Sequence, residues 1–144
     1  LRQEIEHVRQ YLFIQKERYG DKLEYEIHEP DDIPDIKLPK IVLQPLVENA
    51  IYHGIKESER PGKITITVSK RDTFIDICIA DNGVGIKENT TSTKELGGVG
   101  IKNIKERLTL FFGEAFSMEI KSEPNAYTKV YLHLPLKEEG HANS

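Results

Sequence analysis

The stretch QPLVENAIYHG, residues 44–54, decides how this chain is read. The apolar spacing from Ile41 to Ile55 predicts an amphipathic helix. Set at about 100° per residue, Leu43, Leu46, Val47, Ala50 and Ile51 gather on one side. Gln44, Glu48, Tyr52, Asn49 and His53 occupy the other. Gln44, Glu48 and Tyr52 form one row at four-residue spacing, and Asn49 and His53 form the next. A solvated helix face normally carries Lys, Glu and Arg, whereas the Asn amide competes for backbone hydrogen bonds and is a poor choice mid-helix. Two readings fit this helix taken alone. One is a surface face with an incidental Asn. The other is a ligand face, with the Asn49 carbonyl serving Mg²⁺ as a neutral oxygen ligand and Glu48 orienting a water or acting as a base. Pro45 falls inside the expected helix, beyond its first turn, where a kink is the ordinary consequence.

Working outward, Leu1 to about Tyr19 is expected to be helical, with Leu1, Ile5, Val8 and Leu12 in a heptad-like stripe and Gly20-Asp21 as the stop. LEYEIH (23–28) alternates as a strand does. EPDDIPDIKLP, with three prolines, reads as a loop in which Pro39 is placed to open the next helix. Beyond Gly54, KITITVS (63–69) and TFIDICIA (73–80) are β-branched runs joined by a short turn, a hairpin signal. Residues 81–100 hold five glycines and no consistent period, which predicts a long functional loop. Helical spacing returns from Ile101 to Phe112, with Ile104, Leu108 and Phe111 on one face, and Gly113 ends it. Strands are expected around 116–121 and 127–134, and KEEGHANS is expected to be a flexible tail. This order predicts an α+β fold: a two-layer α/β sandwich with helices on one face of a mixed sheet.

A chain of 144 residues with 38% hydrophobic content is expected to bury one ordinary core. With a net charge of −4, a nucleic-acid-binding surface is not expected as its main business. A single cysteine, Cys78, excludes an internal disulfide and a multi-cysteine zinc site, and its apolar run marks it as a small buried hydrophobe. No apolar run approaches the ~20 residues of a membrane span. Because the chain opens at Leu1 instead of Met, it is read as part of a longer protein.

Two further motifs carry chemistry. DNGVGI (81–86) follows a strand run, so Asp81 is expected at a strand end, with Gly83 and Gly85 letting the backbone turn and approach a ligand. A plain Asn-Gly turn is the alternative. GGVGIKNIKERL (97–108) is a glycine-rich loop opening into a helix, which is either an anion site at the positive helix end or a mere connection. It lacks the Gly-Lys-Ser/Thr ending of a P-loop and the dinucleotide-type pattern.

In order, ENAIYHG, DNGVGI and GVGIKN resemble the ATP-binding domain shared by sensor histidine kinases, type II topoisomerases, heat-shock chaperones and mismatch-repair proteins, the GHKL superfamily with its Bergerat-type fold. The longer stretches EIEHVRQYLFIQKERYGDKLEYEI, LPKIVLQPLVENAIYHGI and GGVGIKNIKERLTLFFG are similar to the YesM/LytS-type sensor histidine kinases of bacteria. That resemblance spans essentially the whole chain before the tail. It implies ATP and Mg²⁺ as cofactors and a transfer of the ATP γ-phosphoryl group to a histidine. It implies Asn49 as the metal ligand and Glu48 as the carboxylate that orients a water or the acceptor. Asp81 would accept the adenine amino group, and Gly83, Gly85 and Ile86 would shape the adenine pocket. Gly98, Val99 and Gly100 would pass N–H groups around the phosphates, and Asn103, in the first turn of its helix, would lie near them. His53 would either touch phosphate or end its helix favourably. Residues 86–96 correspond to the ATP lid. Thr128 matches a pocket-supporting Thr, although PNAYTKV lacks both glycines of the usual Gly-x-Gly-Thr turn.

The family's phosphoacceptor motif is absent, and His7 lacks its context, so the acceptor is expected upstream. Residues 1–20 are then read as the end of the dimerisation and phosphoacceptor segment, 21–137 as the catalytic ATP-binding domain, and 138–144 as the tail. The implied partners are the protein's own upstream acceptor helix, a cognate response regulator and a second copy in a homodimer. A cytoplasmic location follows, with membrane attachment through regions not in this chain. Two other readings share these motifs: a nucleotide-binding regulatory module that has lost catalysis, and an ATPase gated by its lid.

Overall fold

The computed structural model describes residues 1–31, 42–52, 61–71, 73–83, 99–123 and 126–136, with the backbone alone for 99–102. Helix α1, Arg2–Tyr19, buries Leu1, Ile5, Val8 and Leu12, the predicted stripe. It stops at Gly20, whose φ of 56° is left-handed and costs glycine little. A short 3-10 turn, Gly20–Lys22, leads into strand β1, Leu23–His28. Lys16 Nζ secures this corner by donating to the carbonyls of Gly20 (3.1 Å) and Leu23 (2.6 Å).

Helix α2 runs Leu43–Ile51, and its buried set is Leu43, Leu46, Val47, Ala50 and Ile51, the face the wheel assigned. It starts at Leu43, two residues later than expected, which places Pro45 in the first turn. The N–H that proline lacks has no helical partner there in any residue, so Pro45 is tolerated at this position. The expected opening at Pro39 lies outside the described residues.

Strands β2, Gly62–Arg71, and β3, Phe74–Asp81, form the predicted hairpin, with Asp81 as the last residue of β3. Helix α3, Val99–Phe112, begins two residues before the predicted Ile101. Ile104, Leu108 and Phe112 are its buried residues, while Phe111 is only partly buried and meets Phe112 edge-to-face. Gly113, at φ 64°, closes it. Strands β4, Ser117–Glu123, and β5, Tyr127–Pro135, complete the molecule.

The five strands lie in the order β1-β2-β3-β5-β4. β1 and β2 are parallel, and the other neighbours are antiparallel, so the sheet is mixed. Alternate residues of the central strands (Ile64, Ile66 and Val68; Ile75, Ile77 and Ile79; Val130, Leu132 and Leu134) join the buried residues of all three helices in one core. The fold is the expected α+β sandwich, with α1, α2 and α3 on one face. Among the described residues no helix is long and apolar enough to cross a membrane.

Candidate nucleotide site

Strand register assembles the first part of the site. Tyr25, Ile64, Asp81, Thr128 and Ser122 lie opposite one another on β1, β2, β3, β5 and β4, forming one row across the sheet. Ile64 is in the core, so this row faces the helices. Asp81 is 7% exposed and is the one buried charged residue among those described. A carboxylate withdrawn from water needs hydrogen-bond partners. One is local: the Gly83 N–H donates to Asp81 Oδ1 at 2.9 Å, closing a tight turn just beyond the strand. Asn82, between them, fastens the strand end, because its Oδ1 accepts the Lys63 N–H at 2.6 Å and its own N–H donates to the Lys63 carbonyl at 3.3 Å.

Thr128 is brought directly opposite Asp81. Its hydroxyl lies 3.2 Å from that of Ser122, which bonds the Tyr127 carbonyl at 3.0 Å. Nothing in the sequence singled out Ser122, because only the β4–β5 register places it here; the alternating pattern of 117–123 was the available signal.

The second part sits on α2, which packs against β3. Glu48 is exposed and accepts from Gln44 Nε2 at 3.1 Å, one helical turn back along the predicted row. On α1, the Tyr11 hydroxyl is pushed above its usual pKa, first by burial and then by the charge of Glu48 and by Tyr19, against an opposing effect of Arg18. Asn49 is half-buried, and its amide nitrogen is fully buried without a hydrogen-bond partner. An orphaned polar atom of this kind is costly unless a ligand completes it. Turning the amide end for end changes its shape little, so it offers either an oxygen or an NH₂ at that point.

A Mg²⁺ ion fits this arrangement, since it takes one or two protein oxygens and keeps waters and phosphates for the rest. No group of three or more His, Cys, Asp or Glu side chains among the described residues is placed to hold a metal.

The third part is the start of α3. Val99 and Gly100 open that helix, so they belong to its first turn, where N–H groups lack helical acceptors. Asn103 is the fifth helical residue and exposed. It therefore falls just beyond the first turn in which it was expected, a consequence of the earlier helix start. His53, Gly85, Ile86, Gly98 and the expected lid at 86–96 lie outside the described residues. On the opposite, uncovered face of the sheet a shallow polar groove of about 450 Å³ runs past Thr67, Cys78, Asp76, Tyr131 and His133. None of the candidate residues lines it.

A carboxylate buried at a strand end, a polar helix face with an unsatisfied amide, and a helix opening in a glycine-rich stretch define a class of nucleotide-binding α+β domain. The histidine kinase-, DNA gyrase B-, and HSP90-like ATPase family model matches residues 35–138, and the chain belongs to that family. ATP is accordingly its nucleotide. Over 139 residues the chain is 32% identical to the sensor histidine kinase YesM of Bacillus subtilis strain 168 and 34% identical to the sensor histidine kinase BtsS of Escherichia coli strain K12. In both cases the match covers 96% of this chain and 24% of the relative, so the chain spans about a quarter of the length of these curated relatives. Its backbone is similar to that of the Acinetobacter baumannii histidine kinase AdeS, with a TM-score of 0.67 at 15% identity, covering 93% of this chain and 64% of the other. A mycobacterial sensor histidine kinase, MprB, gives a TM-score of 0.62 at 15% identity, covering 92% and 95%. These two likenesses bear on the fold.

Proposed function

We propose that this chain is the ATP-binding catalytic domain of a two-component sensor histidine kinase, which passes the ATP γ-phosphoryl group to a histidine upstream of it. The observation that carries the reading is Asp81. Its carboxylate is buried at the end of β3 and accepts the Gly83 N–H. An adenine amino group presented there donates to a desolvated anion, a charge-assisted bond of about twice the ordinary strength. Thr128, opposite it, supports the pocket, while Gly83, Gly85 and Ile86 let the base approach.

At the other end the phosphates are assigned to the N–H groups of Val99 and Gly100 in the first turn of α3, a favourable place for anions, and Gly98 is assigned with them from its sequence motif alone. Asn103 and His53 are assigned to the rim of the phosphate site. Asn49 would hold Mg²⁺, which would supply charge neutralisation on the phosphates. Glu48, exposed beside it, orients the incoming acceptor. Phosphoryl transfer depends chiefly on positioning and electrostatic stabilisation, and these groups supply both.

The acceptor helix, a response regulator, a second copy and a membrane-borne sensor region complete the assignment, with residues 1–20 as the link to the acceptor segment. The test is direct. Mixing this chain and Mg-ATP with a fragment carrying a family acceptor histidine is expected to yield an acid-labile phosphoprotein. ATP binding without transfer would contradict the kinase assignment and leave a nucleotide-binding module.

A further inference from the structure

Helix α2 has no cap of its own: Val42, in the capping position, makes no side-chain cap bond. The cap comes from another helix. A single oxygen of Glu4 on α1, Oε2, accepts the N–H groups of both Val42 and Leu43 at 2.6 Å. A carboxylate here satisfies two donors that helix geometry leaves without partners and meets the positive end of the helix dipole. Glu4 is itself well anchored, because its neighbour Ile5 and the residues Leu1, Val8 and Leu12 are buried in the core. Helix α1 packs against α2, so the Glu4 bonds belong to a wider contact between the two helices.

We propose that Glu4 is a positioning residue for the metal end of the nucleotide site. By clamping the first turn of α2 to α1, it sets the depth and rotation at which Asn49 is presented. Asn49 lies six residues beyond Leu43, or about 9 Å at 1.5 Å per residue, along one rigid helix. Asp81 is held independently, by the β2–β3 pairing and the Asn82–Lys63 bonds. Loss of the clamp therefore separates the two ends of the site. The inference rests on the reading of Asn49 as the Mg²⁺ ligand and Asp81 as the adenine acceptor.

The experiment titrates adenosine, ADP and Mg-ADP into the whole chain, its Glu4→Ala and Glu4→Gln variants, and a Val68→Ala control. Val68 is buried in β2 and takes no part in the Glu4 bonds to Val42 and Leu43, so its truncation lowers stability while leaving those bonds in place. Glu4→Ala is expected to bind adenosine within two-fold of the parent while losing at least three-fold of the affinity that Mg²⁺ adds to ADP. Glu4→Gln keeps an acceptor oxygen and is expected to retain part of that gain, and it serves as the test if the alanine variant does not fold. Val68→Ala is expected to keep all of it. An undiminished Mg²⁺ gain in both Glu4 variants overturns the proposal, as does an equal loss in Val68→Ala. A parent chain that binds ADP no better with Mg²⁺ overturns the Asn49 reading itself, a distinguishable result.

Discussion

On the proposed reading, Asp81 carries the base end of the site in one side chain. It ends a central strand, it is nearly removed from water, and the Gly83 N–H helps to hold its carboxylate in place. A hydrogen bond to a charged group contributes about 1.5–3 kcal/mol, so Asp81→Ala should weaken adenine-nucleotide binding roughly ten- to a hundred-fold. Calorimetry with ATP and GTP reads the loss, and the preference for adenine should disappear with it. The motif DNG after an alternating run made Asp81 legible without a structure. Ser122 was not legible, because strand register alone carries it to the same row. Cys78 shows the reverse case. The run FIDICIA suggested a buried hydrophobe, yet alternation turns Cys78 to the uncovered face, where it is half-buried. Burial pushes its thiol above the usual cysteine range, against smaller opposing effects of Lys129 and Tyr131. A raised pKa keeps the neutral thiol dominant as pH rises past ~8.5. Alkylation by iodoacetamide at pH 8 is therefore expected to be slower than for free cysteine and to accelerate only at higher pH; a rate equal to that of free cysteine would contradict this.

At the scale of elements, α2 shows what periodicity can and cannot determine. Its five buried residues follow from a 3.6-residue repeat, which the sequence displays openly. Its starting point does not follow, because the cap is Glu4, a residue 38 positions before Val42. A search for local capping residues misses it. Pro45 then becomes ordinary. Pro45→Ala should lower stability by no more than about 1 kcal/mol, through greater freedom of the unfolded chain, whereas proline in a helix interior costs about 3 kcal/mol. Thermal melts of the variant distinguish these cases. Helix α1 is bound more firmly. Leu12 is fully buried, and Leu12→Ala should cost about 2–5 kcal/mol by denaturant titration. A loss under 1 kcal/mol would mean that α1 is not part of the core. The start of α3 was mislaid by two residues because Val99 and Gly100 read as loop, although a helix accepts a glycine in its first turn readily.

At the scale of the molecule, the sandwich follows from one fact: the sheet has one apolar face, and three amphipathic helices cover it. Strand positions and the β2–β3 hairpin were legible from local pattern, although β2 runs Gly62–Arg71, beyond both ends of the expected 63–69. The order β1-β2-β3-β5-β4 and the parallel β1–β2 pair were not, because they depend on contacts distant in sequence. That order sets Thr128 opposite Asp81, while α2 on β3 supplies Asn49. On the proposed reading, this assembly binds ATP through a base end on the sheet and a metal end on α2. Calorimetric titration of ATP into the whole chain and into Asn49→Ala, each with and without Mg²⁺, tests it most directly. The parent should bind ATP more tightly with Mg²⁺, and Asn49→Ala should bind metal-free ATP like the parent but lose that gain. A parent that fails to bind ATP, or an Asn49→Ala variant that keeps the full Mg²⁺ gain, would contradict the account.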